Sequence, residues 1–423
     1  MAFLKRIFSV KYINDIITLS VGTIIAQIIM IVASPLITRL YTPSQFGVYT
    51  LLMTIVSVIG PNINGRFDMA IVTSENKKEA DILTVTSILF CLIMTVLISI
   101  GLILIYIFVP DTFNEIGPWV FILIPIFMLS GLINTLLSYN NKYKQYKLIR
   151  SVSVMRSIAL SLGQVIFGFL GLGIFGLIIS QVISLALGVK KQAKYCLGNF
   201  RHLILVRKSE VLGIVKKYKN QPMYSFPANV VNALSYSLTY FCITSMYGVN
   251  EVGFYALCQT VLGLPITIIC SNVSRVFFRQ AGESYRENGS FFSVFKKTIL
   301  ILSVGSIPTF LILFLFSNKL FAFAFGTDWG VAGDYAQIMA PMFAIRFITI
   351  PVISSLLIIG KQSIEFGMQI TFIIFSLLIY VFAKISGFSI ETYLLLTSIM
   401  FFINYLIILT VIYRVARGKA SMV

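Results

Sequence analysis

The feature that most constrains this chain is a succession of apolar stretches, each long enough to cross a lipid bilayer as a helix. A spanning helix needs about 20 mostly apolar residues, whereas barrel strands are shorter and alternate polar with apolar residues. Charged residues make up only 11% of the chain, which is too few to cover a water-facing surface. The sequence therefore predicts an all-α membrane protein of about twelve transmembrane helices. The predicted spans are 16–38, 46–66, 82–108, 119–139, 152–170, 172–189, 224–246, 254–274, 298–316, 335–358, 366–383 and 393–413.

Two short segments indicate an internal duplication. LYTPSQFGVY at 40–49 returns as MYGVNEVGFY at 246–255, and each segment joins the first span of a six-helix group to the second. Because six is an even number, both groups enter the membrane from the same side, which makes a parallel repeat about an axis along the membrane normal. We predict two six-helix lobes with this pseudo-two-fold relation, at 1–196 and 222–423, joined by a cytoplasmic basic linker at 197–221. The matched pairs are Tyr41 with Tyr247, Gly47 with Gly253, Tyr49 with Tyr255, Leu51 with Leu257, and Thr54 with Thr260.

Basic residues are distributed unevenly among the predicted loops. With the N-terminus placed in the cytoplasm, 28 of the 33 Lys and Arg residues fall on the inner side, as the positive-inside rule requires. We therefore predict that both termini face the cytoplasm. Topology and anionic inner-leaflet lipid account for the net charge of +18, so no nucleic acid partner is expected. The linker is either an amphipathic helix on the membrane surface or a solvated connector.

Cysteine and histidine give no sign of a cofactor. The five cysteines have no metal-ligand spacing, and four of them fall inside predicted spans. The lone histidine, His202, lies in the basic linker and cannot build a metal site or a catalytic triad alone. We expect the cysteines to be small apolar packing residues, and we expect no cofactor and no enzymatic site.

Positive charge inside the predicted spans lacks a matching acid. Arg346 sits mid-span in APMFAIRFITIPVISS, with no carboxylate at i±3 or i±4 on its own helix. Arg66 ends the second span, and Arg275 lies near the equivalent place in the second lobe. Charge at this depth costs about 2.5–3.5 kcal/mol per arginine on insertion scales, so it marks a functional site by default. A cavity lined this way should prefer an anionic guest.

Each arginine also has a structural interpretation that stays open at this point. Arg346 could bond backbone carbonyls that Pro341 or Pro351 leaves without a donor. Arg66 and Arg275 could extend to the inner interface, and Arg39 in PLITRLYTP could be an outer-end anchor.

Uncharged amides inside the spans complete the candidate site. Gln27 lies in the first helix of the first lobe, and Asn229 and Asn232 lie in the first helix of the second. Such groups either hydrogen-bond neighbouring helices or line a wet cavity, where they would suit a sugar-bearing guest. The other amides in predicted spans are Asn62, Asn64, Asn134, Gln164, Gln181, Gln259, Asn272 and Asn404.

The motif SPLITRLYTPSQFGVYTL, followed by RFDMAIV and the polar SENKKEAD, resembles bacterial O-antigen and capsular repeat-unit flippases of the polysaccharide transport family. That family belongs to the multidrug/oligosaccharidyl-lipid/polysaccharide exporter (MOP) superfamily. The resemblance extends over essentially the full length. It implies a polyprenyl-pyrophosphate-linked oligosaccharide as substrate, moved from the inner to the outer leaflet, with polymerase and chain-length proteins as partners. It also implies that Arg66, Arg275 and Arg346 are head-group ligands.

Two alternatives remain at this stage. A cation-coupled drug exporter of the same superfamily would favour an acidic cavity, yet the first helix holds only Asp15, at its inner start. A polytopic polysaccharide polymerase would carry catalytic groups in a substantial outer loop, and the longest outer loop, 317–334, has only Asp328 and Asp334 as acids. Because we find no deep carboxylate to carry a proton or sodium ion, the energy source is left open.

Overall fold

The structure is a computed structural model that describes residues 10–197 and 207–418. Nearly all of these residues are helical. They form two compact units, Met1–Ala233 and Leu234–Val423. The prediction of an all-α membrane protein with two lobes is confirmed.

The first unit contains seven long or medium helices and a short one. The helices are α1 (Val10–Leu40), α2 (Pro43–Ile59), α3 (Phe67–Thr73), α4 (Lys77–Phe108), α5 (Leu123–Lys142), α6 (Tyr146–Phe169), α7 (Gly173–Leu197) and α8 (Lys208–Lys217). The division between the units falls inside the next helix, α9 (Phe226–Tyr247).

The second unit contains the rest of α9 and the helices that follow it. These are α10 (Val249–Pro265), α11 (Ser271–Asn288), α12 (Phe292–Phe325), α13 (Gly330–Ile353), α14 (Ser355–Ile358), α15 (Gln362–Ser386) and α16 (Ile390–Ala416).

Within the described residues, eleven segments are long and apolar enough to cross a membrane. They correspond to eleven of the twelve predicted spans, so the chain is a multi-pass membrane protein. The remaining prediction, 224–246, coincides with α9, which has 22 residues and is therefore long enough to span. Asparagine, serine and tyrosine residues along α9 keep this helix out of the eleven apolar segments.

The repeated segments have matching local structure. Leu51 and Leu257 are each 1% exposed in the cores of their own units. The hydroxyl groups of Thr54 and Thr260 each donate to the backbone carbonyl four residues earlier, at 2.8 Å. The sequence identities between the two segments therefore correspond to the same packing and the same hydrogen bond in each unit.

The first tyrosine of each repeated segment ties its unit together. The Tyr41 hydroxyl donates to the carbonyl of Gln164, near the end of α6, at 2.7 Å. The Tyr247 hydroxyl donates to the carbonyl of Phe388, just after α15, at 3.0 Å. Because α6 and α15 are the fifth predicted spans of their lobes, the two tyrosines make equivalent links. Each tyrosine therefore holds the end of the first helix of its lobe to the fifth through a hydrogen bond.

The second helix of each lobe stops being a regular α-helix at the same register. α2 ends at Ile59 and continues as a 3-10 turn, Gly60–Asn62, while α10 ends at Pro265 and continues as a π turn, Ile266–Cys270. The predicted span at 46–66 is confirmed as a span at Pro43–Asn62, but its last turn, Gly60–Asn62, is not regular α-helix, and the residues after it form a turn. Pro61 removes a backbone donor, and the chain turns sharply before α3 begins. Irregular turns of this kind are frequent at functional sites.

A buried amide holds the break in place. The Asn64 side-chain nitrogen donates to the hydroxyls of Ser87 and Thr135, at 3.0 and 2.7 Å, and to the carbonyl of Gly131, at 3.0 Å. Ser87 and Thr135 also bond each other at 2.8 Å. This network joins the turn to α4 and α5, so Asn64 has the helix-packing role rather than the cavity role.

The described part of the linker packs against the first unit. Lys217, at the end of α8, pairs with Glu79 at the start of α4, and the Tyr218 hydroxyl donates to the same Glu79 oxygen at 3.1 Å. Lys78 pairs with Glu210 at 2.6 Å. The sequence left open whether 197–221 is a solvated connector or a helix on the membrane surface. In its described part the structure has a helix, α8, that packs against the start of α4. Residues 198–206, which include His202, lie outside the described residues.

Replacing Glu79 with Gln should release α8. The change removes the carboxylate that Lys217 and Tyr218 share, and the Glu79 side chain is only 8% exposed, so the lost contacts are shielded from water. We expect faster amide hydrogen exchange across Lys208–Lys217, and Glu115→Gln, an exposed carboxylate in another loop, should leave that exchange unchanged. Unaltered exchange in Glu79→Gln would show that the docking depends on other contacts.

The same docking should depend on pH through Glu210. Hydrogen bonds from the backbone N–H of Arg207 and from Lys78 lower the pKa of Glu210 below its ordinary 4.5. A lowered folded-state pKa contributes stability that is fully present above the unfolded value and is lost as the pH falls through the folded value. We therefore expect protection of α8 to be constant above pH 4.5 and to decline below it, as measured by hydrogen exchange.

Candidate functional site

Arg346 lies on α13 inside a set of aromatic side chains in the second unit. Its guanidinium carbon lies 5.5 Å from the ring centroid of Tyr236 and 5.2 Å from that of Phe343. These distances are within the range of cation–π attraction. The residue is only partly buried, and its Nε has no hydrogen-bond partner among the described residues. The structure thus places an arginine with spare donors in an aromatic setting.

Tyrosine hydroxyls are the main electrostatic neighbours of this arginine. Four tyrosines interact electrostatically with the Arg346 guanidinium. They are Tyr405 on α16, Tyr236 and Tyr240 on α9, and Tyr255 on α10. None of the three ion pairs among the described residues includes Arg346. Its positive charge therefore lies among aromatic rings and tyrosine hydroxyls, and no ion pair of the described residues neutralises it.

The structural alternative for Arg346 is weakened by the bonds around Pro351. This proline leaves the carbonyl of Phe347, four residues earlier, without its helical donor. The thiol of Cys270, in the π turn, donates to that carbonyl at 3.3 Å. Because the Phe347 carbonyl already accepts a hydrogen bond from Cys270, it does not need Arg346 as a donor.

Arg66 lies directly after the break in the second helix of the first unit. It adopts a left-handed backbone, with φ of 65°, which is uncommon for a residue with a side chain. The side chain is half-buried, and its Nε has no partner in the described part of the chain. Such strain persists where the surrounding structure fixes it, and it is often found at functional positions.

Asp68 follows two residues after Arg66 and is buried, at 5% exposed. It lies between the spans Pro43–Asn62 and Lys77–Phe108. Burial raises the pKa of Asp68, and the charge of Arg66 acts in the opposite direction. Asp68 and Arg66 therefore interact electrostatically, although they do not form one of the ion pairs of the described residues.

Arg275 and Arg39 are exposed in the structure. Arg275 lies on α11, five residues beyond the π turn, and Arg39 lies at the end of α1. Each makes an interaction of its own, so neither is a free charge. Their predicted roles as ligands stay predictions, since exposure suits an interfacial anchor equally well.

The predicted amides are placed differently from one another. Asn229 on α9 donates to the side-chain oxygen of Asn62 at 2.9 Å, and Asn62 in turn bonds the carbonyl of Val58 at 2.9 Å. Gln27 and Asn232 are half-buried and interact with neighbouring groups. Asn229 therefore links α9 to the broken helix within the first unit.

Buried carboxylates are the feature that sequence reasoning missed. Asp81, near the start of α4, is only 4% exposed, and Asp68 is close to the same value. Asp81 interacts electrostatically with Tyr139 on α5. The sequence placed Asp81 just outside a span, and only the packing of α4 against α5 shows that it is enclosed.

Comparison with known proteins adds to this geometry. A sequence model of the family described as polysaccharide biosynthesis protein matches residues 36–333, which is well over half of the chain. The chain belongs to this family. No curated protein matches it. The matched region of this polysaccharide biosynthesis protein includes Arg39, Arg66 and Arg275, while Arg346 lies just beyond it.

Solved structures with the same fold are transporters. Lipid II flippase MurJ, in an inward closed conformation, has a TM-score of 0.73 and 14% identity, with 95% of this chain and 90% of that chain covered. An inward-facing multidrug resistance MATE family transporter of the MOP superfamily has a TM-score of 0.71 and 15% identity, with 94% and 96% covered. At these identities the likeness shows the fold, so this polysaccharide biosynthesis protein has the MOP-superfamily transporter fold.

A third solved structure concerns charge. It is a MOP superfamily transporter from Pyrococcus furiosus Vc1, described by a reverse polarity of its binding pocket that suggests a different function. Its TM-score is 0.60 at 13% identity, and 94% of each chain is covered. Pockets of differing polarity therefore occur in this fold, and the charge of a pocket depends on the residues of each chain.

Proposed function

We propose that this protein is a flippase that moves a polyprenyl-pyrophosphate-linked oligosaccharide from the inner to the outer leaflet of the bacterial cytoplasmic membrane by alternating access. The observation that carries the proposal is Arg346, a part-exposed guanidinium among aromatic groups that has no carboxylate partner within the described residues. Membership of a polysaccharide biosynthesis family supports a glycan cargo, and the transporter fold supports movement across the bilayer.

The chemistry of Arg346 fits a pyrophosphate. A guanidinium presents a planar fork of donors that binds two phosphate oxygens at once, and charge-assisted bonds of this kind are about twice as strong as neutral ones. The rings of Tyr236 and Phe343 hold the cation without neutralising it. In the proposal the head group binds here while the polyprenyl chain stays in the bilayer.

The neighbouring tyrosines suit the sugar part of the cargo. Tyr236 is 42% exposed, so part of this side chain is accessible. Ring faces pack against the C–H surfaces of sugars, and hydroxyl groups donate to and accept from sugar hydroxyls. Tyr240 lies one turn further along the same helix, which extends this polar aromatic surface by about 6 Å.

The remaining predicted site residues enter the proposal as ligands at other stages of transport. Arg66 and Arg275, which follow the irregular turns of the two second helices, would bind phosphate, and Arg39 would bind it near the outer end of α1. Gln27, Asn229 and Asn232 would bind sugar hydroxyls. The predicted lobes at 1–196 and 222–423, the basic linker at 197–221 and the cytoplasmic termini belong to the same proposal, as do polymerase and chain-length partners in the pathway.

Reconstitution distinguishes this function from the two alternatives. Purified protein in liposomes should bring an internally loaded, fluorescent lipid-linked oligosaccharide within reach of an outer-face quencher faster than empty liposomes do. A drug exporter would instead expel cationic dyes, and a polymerase would lengthen the glycan. Dye efflux or glycan lengthening without translocation would reject the flippase.

A further inference from the structure

A cavity of about 560 Å³ lies among α1, α6 and α7 of the first unit, and none of its lining residues is among the residues assigned above. Three of its lining side chains are cations, one is a hydroxyl and four are apolar. The lining residues are Ile25, Lys147, Arg150, Ser151, Val154, Met155, Ile158 and Lys191. The cavity therefore has a positive part and an apolar part.

The cations come from two helices, and two of them, Lys147 and Arg150, are exposed. Lys147 and Arg150 lie one turn apart on α6, and Lys191 reaches across from α7 to the hydroxyl of Ser151 at 2.5 Å. The stem of Arg150 passes so close to α1 that a Cβ added at Gly22 would lie 2.5 Å from the arginine Cγ. Glycine at this position thus lets α1 and α6 approach with the arginine between them.

Among the described residues, no carboxylate pairs with the positive charge of this cavity. Its described lining includes no carboxylate, and none of the three ion pairs among the described residues involves Lys147, Arg150 or Lys191. Three cations that share one cavity repel each other, so an anion bound among them is stabilised by all three. Phosphate is the anion that best uses both a lysine point charge and an arginine fork.

The apolar wall indicates that the phosphate belongs to a lipid. Ile25 and Ile158 are 38% and 40% exposed, on the helices that border the cavity. Val154 and Met155 continue this surface along α6. A soluble phosphate would leave this apolar wall without a partner, whereas the acyl chain of a lipid would pack along it.

We propose that this cavity binds an anionic phospholipid, with its phosphate at Lys147, Arg150 and Lys191 and an acyl chain along Ile25 and Ile158. Basic pockets between transmembrane helices on the cytoplasmic side are suited to lipid head groups. In the proposed topology the start of α6 and the end of α7 face that side. The site shares no lining residue with the cargo site, so it stands or falls independently of the proposed function.

Lipid binding to the full-length protein in detergent tests the proposal by native mass spectrometry. Phosphatidylglycerol should bind at least about tenfold more tightly than phosphatidylcholine, because phosphatidylcholine carries, beside the same phosphate, a quaternary ammonium that the three cations repel. The double variant Arg150→Gln/Lys191→Gln should lose that preference. Lys190→Gln is the matched control, since Lys190 is the exposed neighbour on α7 and does not line the cavity.

Two further arms keep the test decisive. Ile158→Gln leaves the cations in place and should weaken phosphatidylglycerol binding without changing the binding of soluble glycerol phosphate. If the double variant does not fold, Lys191→Gln alone carries the comparison. The proposal is overturned if the preference for phosphatidylglycerol survives in the cavity variants, or if glycerol phosphate binds as tightly as the lipid.

Discussion

Replacing Arg346 with Ala is expected to reduce outward transfer of the lipid-linked oligosaccharide by about 10- to 100-fold, since a hydrogen bond to a charged group contributes about 1.5–3 kcal/mol. The protein should still fold and insert, because no ion pair of the described residues depends on this guanidinium. The measurement is the initial rate of transfer in proteoliposomes, normalised to the amount of folded protein.

Three companion variants define the cause of that loss. Arg346→Lys should recover only part of the rate, because an ammonium keeps the charge but lacks the planar fork. Tyr405→Phe, which removes one hydroxyl near the guanidinium, should have a smaller effect than Arg346→Ala. Lys384→Ala, an exposed cation on α15, should leave the rate unchanged. A normal rate in well-folded Arg346→Ala would remove this residue from the site.

Replacing Gly131 with Ala is expected to destabilise the protein by about 2–3 kcal/mol, as overpacking of a dense core does. A Cβ at this position would lie 2.2 Å from the Cys91 sulfur, 2.9 Å from Ile63 and 3.1 Å from Asn64. Gly131 also supplies the carbonyl that Asn64 binds, so the new methyl group would disturb the network that fixes the turn before Arg66. The measurement is the thermal unfolding midpoint in detergent.

Gly101→Ala is the matched control for this prediction. Gly101 lies within α4, and a Cβ there would meet nothing within 4 Å. Alanine is favoured over glycine in a helix by about 1 kcal/mol, so Gly101→Ala should be neutral or slightly stabilising. Equal midpoints for the two alanine variants would mean that α4 and α5 separate easily at Gly131, contrary to the packing described.

The number and position of the membrane helices could be predicted because hydropathy is a local property of the sequence. The break after Ile59 could not be predicted with the same ease. Pro61 was visible, yet prolines are common in membrane helices and most do not end them. What ends this helix is the Asn64 network, whose partners Ser87, Gly131 and Thr135 lie 23 to 71 residues away.

The candidate site shows the same limit. Arg346 could be selected from the sequence because a charge in an apolar span is expensive wherever it packs. Its aromatic surroundings come from α9, α10 and α16, and no spacing rule connects Tyr236, Tyr255 and Tyr405 to that arginine. The basic cavity was missed for the opposite reason. The positive-inside rule already accounts for Lys147, Arg150 and Lys191 as cytoplasmic loop residues. Nothing in their spacing predicts that the three side chains line one cavity.

The charge of the cargo is the most direct test of this account. Proteoliposomes would carry one fluorescent oligosaccharide on either polyprenyl pyrophosphate or an uncharged polyprenyl ether, and its arrival at the outer face would be measured by quenching. We expect the pyrophosphate form to cross at least about tenfold faster, with the uncharged form at the rate of protein-free liposomes. Equal rates for the two cargoes, or no transfer of the pyrophosphate form above that background, would contradict the account.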